Sequence, residues 1–257
     1  MKHAEKSRII LELVEKRGVL TAREAAEALG LSAPTIRREF KRLADSGTVR
    51  RVHGRIEQLS PEHDTSLPLA LRRQWFTVVK ERLARRVARE LPEAGAIFVD
   101  GGSTTAHLAM FLDSPKLRII TNSLALNALF MEKFPLSGGP EVMLTSGVVD
   151  RKSAILLGPE AERCVKNFCA EYAVISGTAL DGEYLYDHQD AAAALQRAMI
   201  ANAKRTIIVT DSSKLGKTAM CRSERTEKIA LVVTDFNPDA HETVAELRRR
   251  GVKVIAV

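Results

Sequence analysis

"LSAPTIRREFKRLADSGTVR", residues 31–50, holds a helix together with its start and stop signals. Ser32 stands where an N-cap would, Pro34 falls in the first turn, and Ile36, Phe40 and Leu43 recur at helical spacing, so a helix is expected from Ser32 to about Asp45, stopping near Gly47. Thr35, Arg37, Arg38, Lys41 and Arg42 are left on its other faces. A charged helix face alone is usually only a solvated surface. What surrounds this one decides between that reading and an edge that reads DNA.

Upstream, Ile9, Ile10, Leu13 and Val14 make residues 5–17 an amphipathic helix that ends at Gly18. Thr21 with Glu24 has capping-box form, and Ala22, Ala25, Ala26 and Leu29 give a short small-residue helix ending at Gly30. Downstream, "TVRRVHGRI" (48–56) interleaves β-branched residues with arginines and reads as a β-ribbon. Three short helices and a basic ribbon over residues 1–57 predict a winged helix-turn-helix. The alanines and Gly30 let the second and third helices cross closely, so the third can bury its apolar stripe and present its other edge to a major groove. Helix N-terminal amides near Ser32 and Thr35 suit a phosphate, and Arg37, Arg38, Lys41 and Arg42, with Arg51, His53 and Arg55 of the ribbon, supply phosphate or base contacts. Glu39 is the exception, since phosphate repels a carboxylate; it is expected to orient an arginine or to accept from a cytosine amino group.

The charge is placed accordingly. Residues 1–60 hold 13 Lys/Arg against 8 Asp/Glu and residues 61–90 hold 7 against 4, so of the net +7 of the 257-residue chain the first third carries +8 and the rest −1. That third is the part expected to meet an anionic polymer. With 45% hydrophobic and 28% charged residues the composition is that of an ordinary globular protein of one or two domains. No apolar run approaches the ~18 residues of a membrane span, and Met1 to Lys16 alternates charge with apolar residues, unlike a signal peptide, so a cytoplasmic location without a membrane partner is expected. Cys164, Cys169 and Cys221 have no metal-ligand spacing and are expected as reduced, mostly buried thiols; the six histidines are scattered, and no metal or cofactor is expected.

Residues 58–78 carry two prolines and no clean period, as a linker would, with Trp75 and Phe76 as packing anchors. From residue 79 helices and strands alternate. Val79, Leu83, Val87 and Leu91 mark a helix, and strands are expected at 96–99, 117–121, 141–144, 172–176, 206–210, 229–234 and 253–257, with helices near 103, at 123–130, 160–168, 191–203 and 239–250. Such alternation predicts an α/β domain over 79–257 whose parallel sheet is covered on both faces, with any site at the carboxyl ends of its strands. Three of those ends are polar. "DGGSTT" (100–105) offers amides and the Ser103, Thr104 and Thr105 hydroxyls to a phosphate, "TNS" (121–123) ends the next strand, and "DSSK" (211–214) puts Lys214 where it could pair with the same anion. Asp100 could take sugar or polyol hydroxyls. A strand-to-helix turn needs glycine and hydroxyls merely to form, and this one is neither a Walker loop nor the full dinucleotide fingerprint; the three polar ends together point to phosphate.

These segments carry a resemblance. With "GVLTAREAAEALGLSAPTIRREFKRLADSGTVRRVHG", "KERLARRVARELP", "FVDGGSTT", "TNS", "LLGPEA", "DSSKLGKTAM" and "VVTD" in this order, the chain resembles the DeoR family of bacterial transcriptional regulators from end to end, within it the branch of glycerol-3-phosphate regulon repressors. The resemblance implies a winged helix-turn-helix joined to a sensor similar in fold to ribose-5-phosphate isomerase, which binds a phosphorylated sugar or polyol and changes affinity for operator DNA. By matching motifs Ser32, Thr35, Arg37, Arg38 and the wing around His53 fall on DNA, while Asp100, Gly102, Ser103, Thr104, Thr105, Asn122 and Lys214, with Gly147 and Asp181, line the effector pocket. The chain departs from the family in Arg38-Glu39, where Arg-Asp is usual, and in His53-Gly54-Arg55, where His-Gly-Gly is usual. Ser146-Gly147 stands for a glycine pair, and "DAAAALQRAMI" (190–200) has alanines where relatives carry charges.

The expected function is a repressor of a carbohydrate or polyol operon, bound to double-stranded operator DNA as a homodimer or homotetramer. Two rivals remain. A sugar-phosphate isomerase would need a general base, for which Asp100, Asp181, Glu183 and Asp187 are candidates in no recognisable pair. A ligand-free oligomerisation scaffold would need no pocket.

Overall fold

The computed structural model describes residues 3–45, 49–58, 68–73, 77–235, 237 and 240–257, and the chain divides into two compact units, Met1–Val78 and Val79–Val257. In the first, α1 (His3–Arg17), β1 (Val19–Thr21), α2 (Ala22–Leu29), α3 (Ala33–Asp45), β2 (Val49–Val52) and β3 (Arg55–Gln58) follow in order. Ile10, Val14, Leu20, Ala25, Ile36, Phe40, Leu43, Val49 and Ile56 form its core. The capping box closes as read: Thr21 Oγ1 accepts from the Glu24 amide at 3.2 Å and the Glu24 carboxylate accepts from the Thr21 amide at 2.8 Å, while Gly30 ends α2 in the left-handed conformation. The strand β1 was not legible in three residues; it pairs Leu20 with Ile56, so the wing is a three-stranded antiparallel sheet in the order β1-β3-β2. Val52 pairs with Arg55, leaving His53 and Gly54 as a two-residue turn with φ of 38° and 82°, the double positive φ of a type I′ hairpin.

The stop near Gly47, most of the expected linker, and Trp75 and Phe76 lie outside the described residues. Within the linker range one short helix, α4 (Leu69–Arg72), is described.

The second unit contains α5 (Thr77–Ala88), β4 (Gly95–Val99), β5 (Leu117–Thr121), α6 (Leu124–Lys133), β6 (Glu141–Leu144), β7 (Val148–Asp150), β8 (Ile155–Leu157), α7 (Pro159–Lys166), β9 (Ala170–Ile175), β10 (Ala179–Leu180), β11 (Tyr184–Asp187), α8 (Asp190–Ala201), β12 (Ala203–Val209), β13 (Cys221–Arg225), β14 (Leu231–Thr234), α9 (His241–Arg249) and β15 (Lys253–Ala256). Seven strands form an all-parallel sheet in the order β15-β14-β12-β9-β4-β5-β6. Alternate residues feed two cores: Ile97, Val99, Ile119 and Val174 pack with Leu83 and Val87 of α5 on one face, and Phe98, Ile120, Ala173 and Ile175 pack with Leu195 and Met199 of α8 on the other. The order runs outward from β4 to β6, returns to β9, and runs outward again to β15. It therefore reverses between β4 and β9, the place where open α/β sheets open a crevice for ligands.

Two additions escaped the sequence. The hairpin β7–β8 docks on the carboxyl end of β5, with Leu156 N–H donating to Asn122 O at 2.8 Å and Leu124 N–H to Ala154 O at 3.0 Å, and β10, β11 and β13 form a small antiparallel sheet. Their strands have two to five residues and take their pairing from tertiary contacts, so no period announces them. The helix expected near Ser103 is instead a 3₁₀ turn, Thr105–Met110. The cysteines correct an expectation: Cys169 is exposed and Cys164 and Cys221 are half-buried, all three as free thiols. Among the described residues no helix is long and apolar enough to cross a membrane.

Gly147 shows why a glycine stands between β6 and β7. Its φ is +126°, and a Cβ there would lie 2.5 Å from the Leu157 carbonyl oxygen. Gly147 thus secures the fold of the hairpin. Gly147→Ala is expected to cost about 1–3 kcal/mol and to lower the melting temperature by several degrees in a thermal unfolding scan; an unchanged transition would contradict this assignment.

Candidate ligand site and nucleic-acid interface

On α3 the buried positions are Ile36, Glu39, Phe40 and Leu43, the i, i+3, i+4, i+7 set of one helical face. Glu39 is therefore turned into the domain, its carboxylate 3.8 Å from Arg42 Nη1. The expectation that it accepts from a cytosine is corrected by this periodicity, which places it in the apolar stripe; its pairing with an arginine stands. Arg37, Arg38 and Lys41 are exposed on the opposite edge, with Arg51 and His53 exposed on the wing, and among the described residues Arg37, Arg38, Lys41 and Arg51 make no ion pair. Arg55 differs. Together with Arg50 it grips Glu57, at 2.9 and 2.7 Å, and Arg50 foremost holds that carboxyl below its usual range. Ser32 and Thr35 share a hydroxyl–hydroxyl hydrogen bond of 2.9 Å at the start of α3.

In the second unit the polar strand ends are buried. Asp100, at the end of β4, is 3% exposed, with Ser103, Thr104, Thr105, Asn122 and Ser123 each at 2% or less. The Gly101 N–H donates to both Asp100 Oδ1 and Asn122 Oδ1 at 2.8 Å, which joins the ends of β4 and β5. Thr105 Oγ1 donates to Gly102 O at 3.2 Å, so that hydroxyl holds its own turn. Thr104 Oγ1 and Asn122 Nδ2 are buried without a hydrogen-bond partner, and among the described residues the N–H groups of Gly102, Ser103 and Thr104 donate to no protein acceptor. Gly102 has no room for a side chain, since a Cβ would come within 2.9 Å of Ser176 at the end of β9.

A residue that sequence reasoning missed organises this end of the sheet. Gln196 of α8 donates through Nε2 to Asp100 Oδ2 and to Asp187 Oδ2, each at 3.0 Å, while its Oε1 accepts from Ser223 Oγ at 2.5 Å. Burial above all, and then the Asp187 charge, push Asp100 up to about 7 against the hydrogen bonds from Gln196 and Gly101. Asp187 Oδ1 accepts from the His188 and Gln189 amides, and Gln189 Nε2 reaches Asp150 Oδ2 on the β7–β8 hairpin at 3.1 Å. A signal was present: Gln196 stands alone among Ala192, Ala193, Leu195, Met199 and Ile200 on the buried face of α8, and a buried amide needs partners.

Other expected residues lie apart from this cluster. Asp181 accepts from the Glu183 and Tyr184 amides and from the Tyr186 hydroxyl, all at 2.7 Å, and so builds the β10–β11 turn. Lys214 is buried 3.8 Å from Asp211 Oδ2, in a loop whose Ser212 binds Asp235 through its amide and its hydroxyl. Burial raises Asp235. One strand, β9, separates that loop from "DGGSTT", a spacing of about 10 Å at two inter-strand steps. Of the four general-base candidates the structure brings together two, Asp100 and Asp187.

Comparison with known proteins agrees with both units. Residues 76–236 match the model of the DeoR C terminal sensor domain, and residues 7–62 that of the DeoR-like helix-turn-helix domain. The chain is 29% identical over 242 residues to the glycerol-3-phosphate regulon repressor of Escherichia coli strain K12, covering 93% of each chain. It is 24% identical over 257 residues to the HTH-type transcriptional regulator UlaR of Shigella flexneri serotype 5b, covering 100% of each. Among solved structures, ribose 5-phosphate isomerase A of Methanocaldococcus jannaschii aligns with a TM-score of 0.39 at 14% identity over 54% of each chain. The full-length sorbitol operon regulator SorC of Klebsiella pneumoniae aligns with a TM-score of 0.37 at 12% identity over 97% of this chain and 96% of that one. The sensor-domain match alone spans more than half of the sequence, and the chain belongs to the DeoR family: a DNA-binding helix-turn-helix regulator with the family's C-terminal sensor domain.

Proposed function

We propose that the chain is a cytoplasmic repressor of a carbohydrate or polyol operon, released from operator DNA when its sensor binds a phosphorylated sugar or polyol. The observation that carries this reading is the turn after β4. At Gly102, Ser103 and Thr104 three successive N–H groups have no acceptor among the described residues, and with the unpartnered Thr104 hydroxyl they offer a phosphate donors, beside a carboxylate that suits hydroxyls. The relatives named as a glycerol-3-phosphate regulon repressor support the ligand class. Lys214, balanced within its own loop, is a secondary contact at most in this reading.

Release requires only that the ligand favour the conformation that binds DNA poorly; a coupling of about 1–3 kcal/mol changes affinity roughly 5- to 150-fold. Symmetric operators pair two helix-turn-helix units, so we infer a homodimer or a homotetramer. One observation favours an isomerase: Asp100 and Asp187 lie together with Asp100 near neutrality. The Gln196 amide donates to both, however, so that one oxygen of each is already engaged by a neutral donor within the protein.

DNA affinity should fall steeply with salt, the logarithmic slope being about −0.9 per phosphate neutralised. Arg38→Ala is expected to weaken binding to every sequence and to flatten that slope by about one, or to relax readout at one base pair if Arg38 meets a guanine. Fluorescence anisotropy across a salt series checks this, and an unaltered affinity and slope would remove Arg38 from the interface.

The Asp100 carboxyl also sets a pH dependence. Its folded-state pKa of about 7 lies above the ordinary 3.8, so between these values the folded chain holds a proton that the unfolded chain has lost, and stability falls as pH rises until the folded group ionises near 7. Asp100→Asn removes this loss, up to about 1.4 kcal/mol per pH unit. Relative to wild type, the variant should gain in melting temperature from pH 5 to pH 8; a difference that stays constant over that range would count against a buried, protonatable Asp100.

A further inference from the structure

We propose that Gln196, Asp187 and Asp100 read the end of the ligand remote from its phosphate, and that they select a neutral hydroxyl group there over a carboxylate. This rests on the reading of the second unit as a phosphate-ester sensor and narrows its substrate class. The two carboxylates reach the same point from different elements, β4 and β11, and the Gln196 amide from α8 holds them there. The amide has no freedom to turn over, because Ser223 donates to its oxygen and a reversed amide would set that oxygen against two carboxylates.

Each Oδ2 accepts the one hydrogen bond from Gln196, and a carboxylate oxygen has a second lone pair to offer. Donors stand beside these acceptors. Asn122 Nδ2 and Thr104 Oγ1, both buried at the ends of the neighbouring strand and turn, reach no acceptor within hydrogen-bond distance. A hydroxyl group donates and accepts at once and so matches a place that has both. A carboxylate only accepts, and here it would be set against the Asp187 carboxylate and a buried Asp100 that already resists ionisation. Asp187 is half-buried, so the selecting pair meets solvent on its side.

Two pairs of phosphate esters isolate this property, each differing only in CH2OH against COO⁻ at the end far from the phosphate: glycerol 3-phosphate with 3-phosphoglycerate, and glucitol 6-phosphate with 6-phosphogluconate. Titration calorimetry on the full chain, with inorganic phosphate as the phosphate-only control, is expected to show the alcohol of at least one pair binding about tenfold or more tighter than its acid, the effect of about 1.4 kcal/mol. Asp187→Asn should then strengthen binding of the acid and bring the two within about threefold, a gain that a merely damaged fold cannot produce. If an acid binds as well as its alcohol, or Asp187→Asn leaves their ratio unchanged, the selection is overturned while the sensor reading survives. If neither member of either pair binds more tightly than inorganic phosphate, the ester-sensor reading fails and this proposal falls with it.

Discussion

The shared amide of Gln196 is the constraint on which the sensor unit turns, because two carboxyl groups from separate elements, the buried Asp100 and the half-buried Asp187, are held within reach of one neutral donor. Burial of a carboxyl disfavours its charged form, and a like charge beside it adds to that; burial first and the Asp187 charge second push Asp100 up to about 7. A buried polar network of this kind is costly when incomplete and specific when complete. Here Ser223 from β13 fixes the amide, Gln189 carries the network to Asp150 on the β7–β8 hairpin, and Gly101 carries it to Asn122. Elements far apart in sequence thus meet at the reversal point of the sheet. A ligand that hydrogen-bonds with Asp100 would act on all of them.

Much of this was legible in advance for reasons of period. Apolar residues at helical spacing located α1, α2 and α3, and buried runs bounded by turns located the parallel strands, because each of those elements buries a continuous face. The polar strand ends could be read for the same reason, as residues that interrupt an apolar pattern where a sheet has its crevice. Glu39 was misjudged through its charge: its position in the i, i+3, i+4, i+7 stripe foretold burial, and the stripe prevailed. The short strands β1, β7, β8, β10, β11 and β13 carry too few residues for a period, and their partners lie elsewhere in the chain.

The candidate site was half legible. Asp100, Thr104 and Asn122 lie buried at the polar strand ends, and burial without partners marks Thr104 and Asn122 as groups with bonding capacity to spare. Gln196 was hidden because it belongs to no run, and Asp187, named only as one of four candidate bases, could not be paired with Asp100 from the sequence; only the fold brings α8 and β11 to the end of β4. Asp181 and Gly147 lie close to conspicuous motifs, yet one accepts three hydrogen bonds within its own turn and the other is a glycine that backbone crowding requires. Proximity to a motif in sequence was a poorer guide than a polar residue out of place on an apolar face.

In the proposed function the two units are coupled, and ligand occupancy at the strand ends changes DNA affinity through the same chain. The most direct measurement takes a DNA site selected in vitro from a random pool by the full-length protein and determines its dissociation constant, at fixed salt, with and without a saturating phosphate ester that the sensor is shown to bind. Coupling of this kind gives a roughly 5- to 150-fold loss of affinity, and the same factor in the affinity for the ester when DNA is present, since it is reciprocal. A bound ester that leaves DNA affinity unchanged would contradict it.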